Sequence, residues 1–377
     1  MMDHGVRAGG PDEPALDENG LSEAWADLGA ELSASASSDR LSFSLRTLTE
    51  PDLLRRAVRL AARQLGQPAF DPAILRRELE QSMAALREDR TRPGPVALRA
   101  FSRALYGSHP YGAEINEQTL QSIGVADAEA VHRTLLPCRA RVTLVGAVDR
   151  SQADALVREL LSALPAQAVA TPCPALPPVP EVVPLTQASE ERIAFASAQA
   201  QLLLGQPGIA RRDPDYLALF VGNHILGGGG FVSRLTAEVR EKRGLSYSVY
   251  SAFSPALHAG AFRIGLQTRP DQADQALAVV REVLAQFVEQ GPTEEELQAA
   301  KANLVGGFAL RIDSNRKLLD NVANIAWNDL PLDYLDTWAQ QVSRITTGQI
   351  RAAFGRVLQP GRMVTVVLGG AAAGAPP

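Results

Sequence analysis

Two rhythms of apolar and polar positions alternate along this chain. Phe262, Ile264 and Leu266 face one side while Arg263 and Gln267 face the other, the two-residue period of a half-buried strand. Tyr247 to Phe253 repeats that period, so the two stretches are predicted to pair as antiparallel neighbours. Arg192 to Gly205 reads as one long strand stopped by Gln206-Pro207-Gly208. Between these strands the period lengthens. Asp213-Pro214 predicts a helix start, with Asp213 as N-cap and Pro214 at the first helical position, and the helix runs to Leu226. Gly227 to Gly230 stop it, and a short helix with Val232, Leu235 and Val239 on one face follows. Thr293 to Glu296 forms a capping box ahead of another helix. In the first half, Ala30 to Ala36 and Leu41 to Leu48 predict a hairpin, and Pro51 to Leu65 and Pro72 to Asp89 predict helices.

The two halves read alike. A helical pattern beginning at Ile123 ends at Leu136-Pro137 and leads through Arg139 to an apolar strand, Val142 to Gly146. About 222 residues later, Ile345 begins a similar pattern that ends at Leu358 and leads through Pro360 and Arg362 to a strand, Met363 to Gly369. The order of elements, a shared proline and a shared arginine point to a duplicated unit. Pro165 to Pro184 carries five further prolines and reads as an extended linker. The expected organisation is a domain over residues 1–164, a linker over 165–184 and a second domain over 185–377. The fold class is α+β, with a mixed, mainly antiparallel sheet and helices on one face in each domain.

Hydrophobic residues at 46% and charged residues at 21% describe a globular chain. The formal net charge of -5 gives no reason to expect nucleic acid or an anionic membrane as partner. No stretch is long and apolar enough to span a bilayer, and the polar start, rich in Gly, Pro and Asp, is no signal peptide as written. The compartment stays open: cytoplasmic as written, exported if the native start lies upstream. Cys138 and Cys173 have neither CxxC spacing nor a histidine nearby, and read as two separate thiols, with a disulfide the alternative.

Several chemistries are excluded. The five histidines, His4, His109, His132, His224 and His258, include no pair one helical turn apart, so no helix can aim two imidazoles at one metal. Neither H-x-x-E-H nor H-E-x-x-H occurs, nor a G-x-S-x-G elbow, nor a Walker-type phosphate loop. His109 and His224 read as packed side chains, and Glu78, Glu80 and Glu88 as solvated helix surface.

The tract from Gly227 through Phe231-Val232-Ser233-Arg234-Leu235 to Arg240-Glu241-Lys242-Arg243-Gly244-Leu245-Ser246-Tyr247 is more specific. It resembles the hallmark segment of the C-terminal domain in pitrilysin/insulinase-type zinc metallopeptidases, the group that includes the mitochondrial processing peptidase. His109-Pro110-Tyr111-Gly112 and Gly29-Ala30-Glu31-Leu32-Ser33 resemble tracts of that family's N-terminal domain. The resemblance implies two homologous α+β domains. It also implies that Arg240 and Tyr247, seven positions apart, reach an active site built by a homologous domain, with Gly228, Gly229, Gly230 and Phe231 touching substrate. The plain alternatives are a surface arginine favoured by a helix C-terminus, a half-buried strand tyrosine, and a glycine run that merely ends a helix.

One departure from the family decides the rest. Catalytic members carry H-x-x-E-H on a helix of the N-terminal domain, whereas Asn19-Gly20-Leu21 leads here within seven residues to Leu28-Gly29. The metal-bearing helix and its neighbour are expected to be missing. A full strand usually found ahead of the one that His4 to Gly9 resembles is missing too, which implies an abbreviated domain with an open sheet edge. The resemblance therefore implies a chain that binds no cofactor itself. It would be the non-catalytic subunit of a heterodimer whose H-x-x-E-H partner holds zinc and whose substrate is a peptide or unfolded protein. A purely structural subunit, or a remnant without a partner, is the alternative.

Overall fold

The computed structural model describes residues 2–11, 13–164 and 173–369. In chain order the first half holds β1 (Gly5–Val6), β2 (Leu16–Asp17), α1 (Glu18–Asp27), β3 (Glu31–Ala36), β4 (Leu41–Arg46), α2 (Pro51–Gly66), α3 (Pro72–Asp89) and α4 (Pro93–Tyr106). Then come α5 (Glu117–Gln121), α6 (Val125–His132) and α7 (Arg150–Leu161). The second half holds β5 (Ser189–Ile193), β6 (Ala200–Pro207), α8 (Tyr216–Asn223), β7 (Val249–Phe253), β8 (Ala261–Thr268), α9 (Ala273–Gln290) and α10 (Glu294–Gly306). It closes with α11 (Asn315–Trp327), α12 (Tyr334–Arg344), α13 (Thr347–Val357) and β9 (Val364–Leu368). The α+β class expected from the sequence is what the chain adopts.

The elements gather into two compact units that exchange segments. One comprises Met1–Leu86, Ile115–Pro178 and Ser314–Trp327; the other comprises Arg87–Glu114, Val179–Asp313 and Asn328–Pro377. The second unit is built on a five-stranded sheet of order β5-β9-β6-β8-β7, antiparallel except where β5 meets β9. Leu202, Leu204, Phe262, Ile264 and Leu266 turn one face toward the main core, where Phe287 of α9 and Phe354 of α13 are fully buried. The opposite face presents Val364, Val366 and Leu368 to Ala97, Ala100 and Phe101 of α4. A helix from the first half of the sequence thus closes the second sheet. Gly205 makes that approach possible, because a Cβ there would lie 2.9 Å from the Phe101 ring and closer still to β8.

The first unit is smaller. β3 and β4 form the hairpin expected from the sequence, in the register Leu32↔Leu45 and Ala34↔Phe43. Its core is Val6, Leu21, Trp25, Leu28, Ala57 and Ala61. Buried Gln64 accepts from Trp25 Nε1 at 2.8 Å and donates to Asp3 at 3.0 Å, so its amide is satisfied at both ends. Arg77 of α3 holds the first residue of α1, Glu18, through both guanidinium nitrogens, and with His4 it keeps that carboxyl down near 2.

Several expectations are corrected. The short stretch from Asn19 to Leu28 is itself a helix, α1, which Asp17 caps by accepting from Gly20 N at 2.8 Å. It carries no histidine. The long strand over Arg192 to Gly205 is two strands on opposite edges of β9, with β6 also pairing β8. α8 starts two residues after Pro214, because Asp213 accepts from Asp215 N in a turn that Arg356 clamps through both aspartates. Val142 to Gly146 joins no ladder. Of the proline-rich stretch, 165–172 lie outside the described residues, and 173–184 form neither helix nor strand. Val232, placed on the buried face of a short helix, is 79% exposed.

Cys138 and Cys173 form a disulfide, not the pair of thiols expected. Nothing in their spacing signals it; what joins them is the return of the proline-rich segment past Pro137–Arg139, where Arg139 also donates to the Pro174 carbonyl. A covalent loop over a separation of 35 residues restricts the unfolded chain. Cys138→Ala is expected to lower stability by about 2–4 kcal/mol, read as a lower denaturant midpoint that dithiothreitol leaves unchanged in the variant but reproduces in the parent.

Candidate functional site

The site is built where α8 stops being an α-helix. His224–Gly228 continue it as a π-turn, and a second π-turn covers Thr236–Glu241. Such turns are rare and cluster at functional sites, because each widens the helix by one residue and re-aims the side chains beyond it. The glycines explain the first. A Cβ on Gly227 would fall 2.5 Å from Ser251 N on β7, one on Gly228 2.7 Å from the Asn223 amide, and one on Gly229 2.6 Å from His224 O. Asn223 locks the contact: its Nδ2 donates to Ser251 O at 3.1 Å and its Oδ1 accepts from Ser251 Oγ at 2.7 Å. Gly230 then turns the chain at φ 64°, a left-handed conformation open to glycine. Beyond it the chain emerges at Phe231 and Val232.

The second π-turn is pinned from below. Ser233 Oγ and Thr236 Oγ1 lie 2.8 and 2.9 Å from the Gly230 carbonyl oxygen. Arg234 grips Glu296 with two hydrogen bonds, at 2.5 and 2.6 Å, and donates to Gly291 O at 3.1 Å. Leu235 and Val239 are fully buried on the same side. Arg240 is left facing outward. Gly244, at φ 62°, ends the turn; Ser246 Oγ donates within reach of Ser248 O and Gln267 O, and Thr268 Oγ1 donates to Leu245 O. These bonds bury Leu245 and Ser246 and turn Tyr247 out, so that it is 80% exposed.

The result is a three-layer stack. The Arg240 guanidinium lies 4.7 Å from the Phe231 ring centroid and 4.6 Å from that of Tyr247. Two π faces hold the cation in place and leave its N–H edges free. Among the described residues it has no carboxylate or carbonyl partner. Its neighbours differ: Lys242 and Arg243 both pair with Glu238 at 2.6 Å and hold that carboxyl below its usual range. The Tyr247 hydroxyl likewise has no partner among the described residues. The structure therefore brings together Arg240, Tyr247 and Phe231 from the residues singled out in the sequence. Gly228 and Gly229 serve close packing, and Gly230 supplies the turn.

Other candidates fall elsewhere. His224 Nε2 is buried without a partner among the described residues, near Gly229; burial and the charge of Arg311 push its pKa down. His109 is buried, its Nδ1 accepting from Tyr111 N at 3.1 Å and its Nε2 lying 2.8 Å from Pro180 O. Among the described residues no three His, Cys, Asp or Glu side chains come together as metal ligands. His4 and Glu18 are too few for a zinc site and are already engaged by Arg77. Reading the sequence alone missed both π-turns, the second ring against Arg240, and the Arg234–Glu296 anchor. Thr293-x-x-Glu296 is legible as a capping box, but its second role under the site is not.

Glu296 couples the site to pH. Burial works to raise its pKa, but the Arg234 bonds and the Thr293 backbone N–H outweigh it and hold the carboxyl below its ordinary value. Its contribution is complete above the unfolded-state value of about 4.3 and is lost as pH falls through the lower folded value. Glu296→Gln is expected to cost about 1–2 kcal/mol at neutral pH in denaturant titrations. The gap to the parent should close below about pH 4; a gap that persists there would remove the electrostatic account of this anchor.

Comparison with known proteins gives the family. The family model described as the peptidase M16 inactive domain matches residues 126–304, which include the glycine run, Arg240 and Tyr247. A crystal structure of a peptidase M16 inactive domain from Pseudomonas fluorescens is 34% identical, covers all of this chain and 88% of its own, and superposes with a TM-score of 0.90. An uncharacterized zinc protease of Mycobacterium tuberculosis is 28% identical over 98% of this chain and 83% of its own length. Another, from Streptomyces coelicolor, is 28% identical over 71% of this chain, which spans only 58% of that protein. The chain belongs to the M16 (pitrilysin/insulinase-type) metallopeptidase family.

Proposed function

We propose that this chain is the non-catalytic subunit of a heterodimeric zinc metalloendopeptidase, and that it lends Arg240 and Tyr247 to the active site of an H-x-x-E-H partner. The observation that carries this reading is the stack itself. Arg234 and Arg243 nearby are each paired with a carboxylate. Arg240 is instead held by two exposed rings with its donors free.

The chemistry follows from those donors. Attack of water on a peptide carbonyl develops negative charge on the carbonyl oxygen, and a preorganised phenol hydroxyl and guanidinium suit that charge. Tyr247 donates to the developing oxyanion. Arg240 binds substrate backbone carbonyls or a carboxylate, and its π contact orients the Tyr247 ring. Phe231 offers an apolar surface beside them, and the glycine run sets how near a peptide backbone approaches. The zinc and the general base belong to the partner, whose metal polarises the carbonyl and activates the water. The substrate class is a peptide or an unfolded protein.

Co-expression with an H-x-x-E-H homologue from the same genome, assayed on a quenched peptide library, tests the reading. Activity is expected to need both chains. Tyr247→Phe should lower kcat by about 10²–10³, the usual loss for one oxyanion donor. Arg240→Lys should lose a comparable factor, since lysine keeps the charge but neither the planar fork nor the stack. A catalytic chain that works equally well alone, or variants indistinguishable from the parent, would instead leave a scaffold subunit.

A further inference from the structure

Among the described residues, Arg211 is the one arginine, lysine, aspartate or glutamate that is buried, with 8% of its surface exposed. Side chains of full charge are almost never buried this far unless they are paired. Arg211 lies between β6 and α8, where its N–H donates to Ala256 O at 2.8 Å. Its guanidinium sits 3.6 Å from the ring centroid of Tyr216 and 5.6 Å from that of Tyr334, and Nη2 donates to the Tyr334 hydroxyl at 3.2 Å. No carboxylate pairs with it among the described residues. The candidates nearest in sequence are engaged elsewhere: Arg356 holds Asp213 and Asp215, and Arg212 holds Asp329. Nε and Nη1 of Arg211 make no hydrogen bond among the described residues, and neither is sealed from solvent.

The surroundings are positive and partly apolar. Burial raises the pKa of Tyr216, and the charges of Arg211 and Arg311 act against that rise, so two cations reach this phenol. A cavity of about 50 Å³ opens against the same ring, walled by Ile209, Leu219, Phe220, Phe253 and Pro255. Asn223 also lines it, but both ends of that amide are committed to Ser251. The Tyr216 ring thus separates a guanidinium with uncommitted donors from a small space whose free surface is aliphatic and aromatic. All of these residues belong to the second unit.

We propose that Arg211 is the centre of a binding site for a carboxylate carried beside a short aliphatic group, as at the C-terminus of a peptide ending in valine or in a short branched acid. The planar guanidinium, held flat by the Tyr216 ring, matches the two oxygens of a carboxylate. The Tyr334 hydroxyl accepts from Nη2 and keeps its own proton to donate to the same anion. An incoming carboxylate supplies the counter-charge that the buried cation otherwise lacks, and the low local dielectric strengthens the pairing. The cavity takes the aliphatic group. The site involves neither Arg240 nor Tyr247, so it stands whether or not the peptidase role does.

The probes are N-acetyl-valine, its amide, N-acetyl-glycine, 3-methylbutanoate and inorganic phosphate, each titrated into the full chain and followed by ligand-observed NMR. N-acetyl-valine is expected to bind about tenfold or more tightly than its amide, which lacks the charge. It should bind about fivefold or more tightly than N-acetyl-glycine, which leaves the cavity empty. Binding of 3-methylbutanoate as tight as that of N-acetyl-valine would identify a free acid as the source, and a preference for N-acetyl-valine a peptide end. Arg211→Lys and Tyr334→Phe should each weaken the acid and leave the amide unchanged. Tyr334→Phe, which removes one hydroxyl, carries the test if Arg211→Lys lowers the melting temperature. No binding of the acid at millimolar concentration, equal binding of acid and amide, or equal binding of the valine and glycine compounds overturns the proposal. So does phosphate binding as well as N-acetyl-valine, which would leave a bare anion site.

Discussion

The approach of Gly227 to Ser251 N is the constraint from which the rest of the site follows. Helix α8 comes down onto strand β7 closer than any side chain allows, and the Asn223–Ser251 pair fastens it there. With that contact fixed, the helix widens into a π-turn, Gly230 reverses the chain, and Phe231 is left standing in solvent. The second π-turn, anchored through Arg234 and Glu296, then presents Arg240 against Phe231 on one side and Tyr247 on the other. A half-buried cation against two exposed rings is an unusual use of apolar surface. The two ring faces fix the orientation of the guanidinium.

The two units divide the consequences of a duplicated fold. The second keeps a full five-stranded sheet with a core on each face, one of them capped by α4 from the other half of the sequence. The first keeps the hairpin, a ten-residue helix and a small core around Trp25. Its helix α1 carries glutamates but no histidine. No helix among the described residues is long and apolar enough to cross a membrane.

Much of this was legible in the sequence where local rules act alone. The period-two alternation of Phe262, Ile264 and Leu266 gives β8, and Thr293-x-x-Glu296 gives the start of α10. The pairing of Arg240 with Tyr247 was visible only through the resemblance of their tract to the family's C-terminal domain. What stayed hidden depends on tertiary contact. A π-turn has no local code; it exists here because Gly227 meets β7. The break between β5 and β6 comes from the two strands taking opposite edges of β9, and the Cys138–Cys173 disulfide from a linker that doubles back. Val142 to Val145 has the composition of a strand but joins no ladder among the described residues.

The central claim is that the stacked Arg240 faces the catalytic centre of another chain. A photo-crosslinking residue placed at Phe231, at the outer face of the stack, would report that neighbour directly in the presence of an H-x-x-E-H homologue. The account predicts a crosslink, mapped by mass spectrometry, to the helix bearing that motif or to the strand beside it. Crosslinks confined to this chain, or to a face of the homologue remote from its metal, would contradict it.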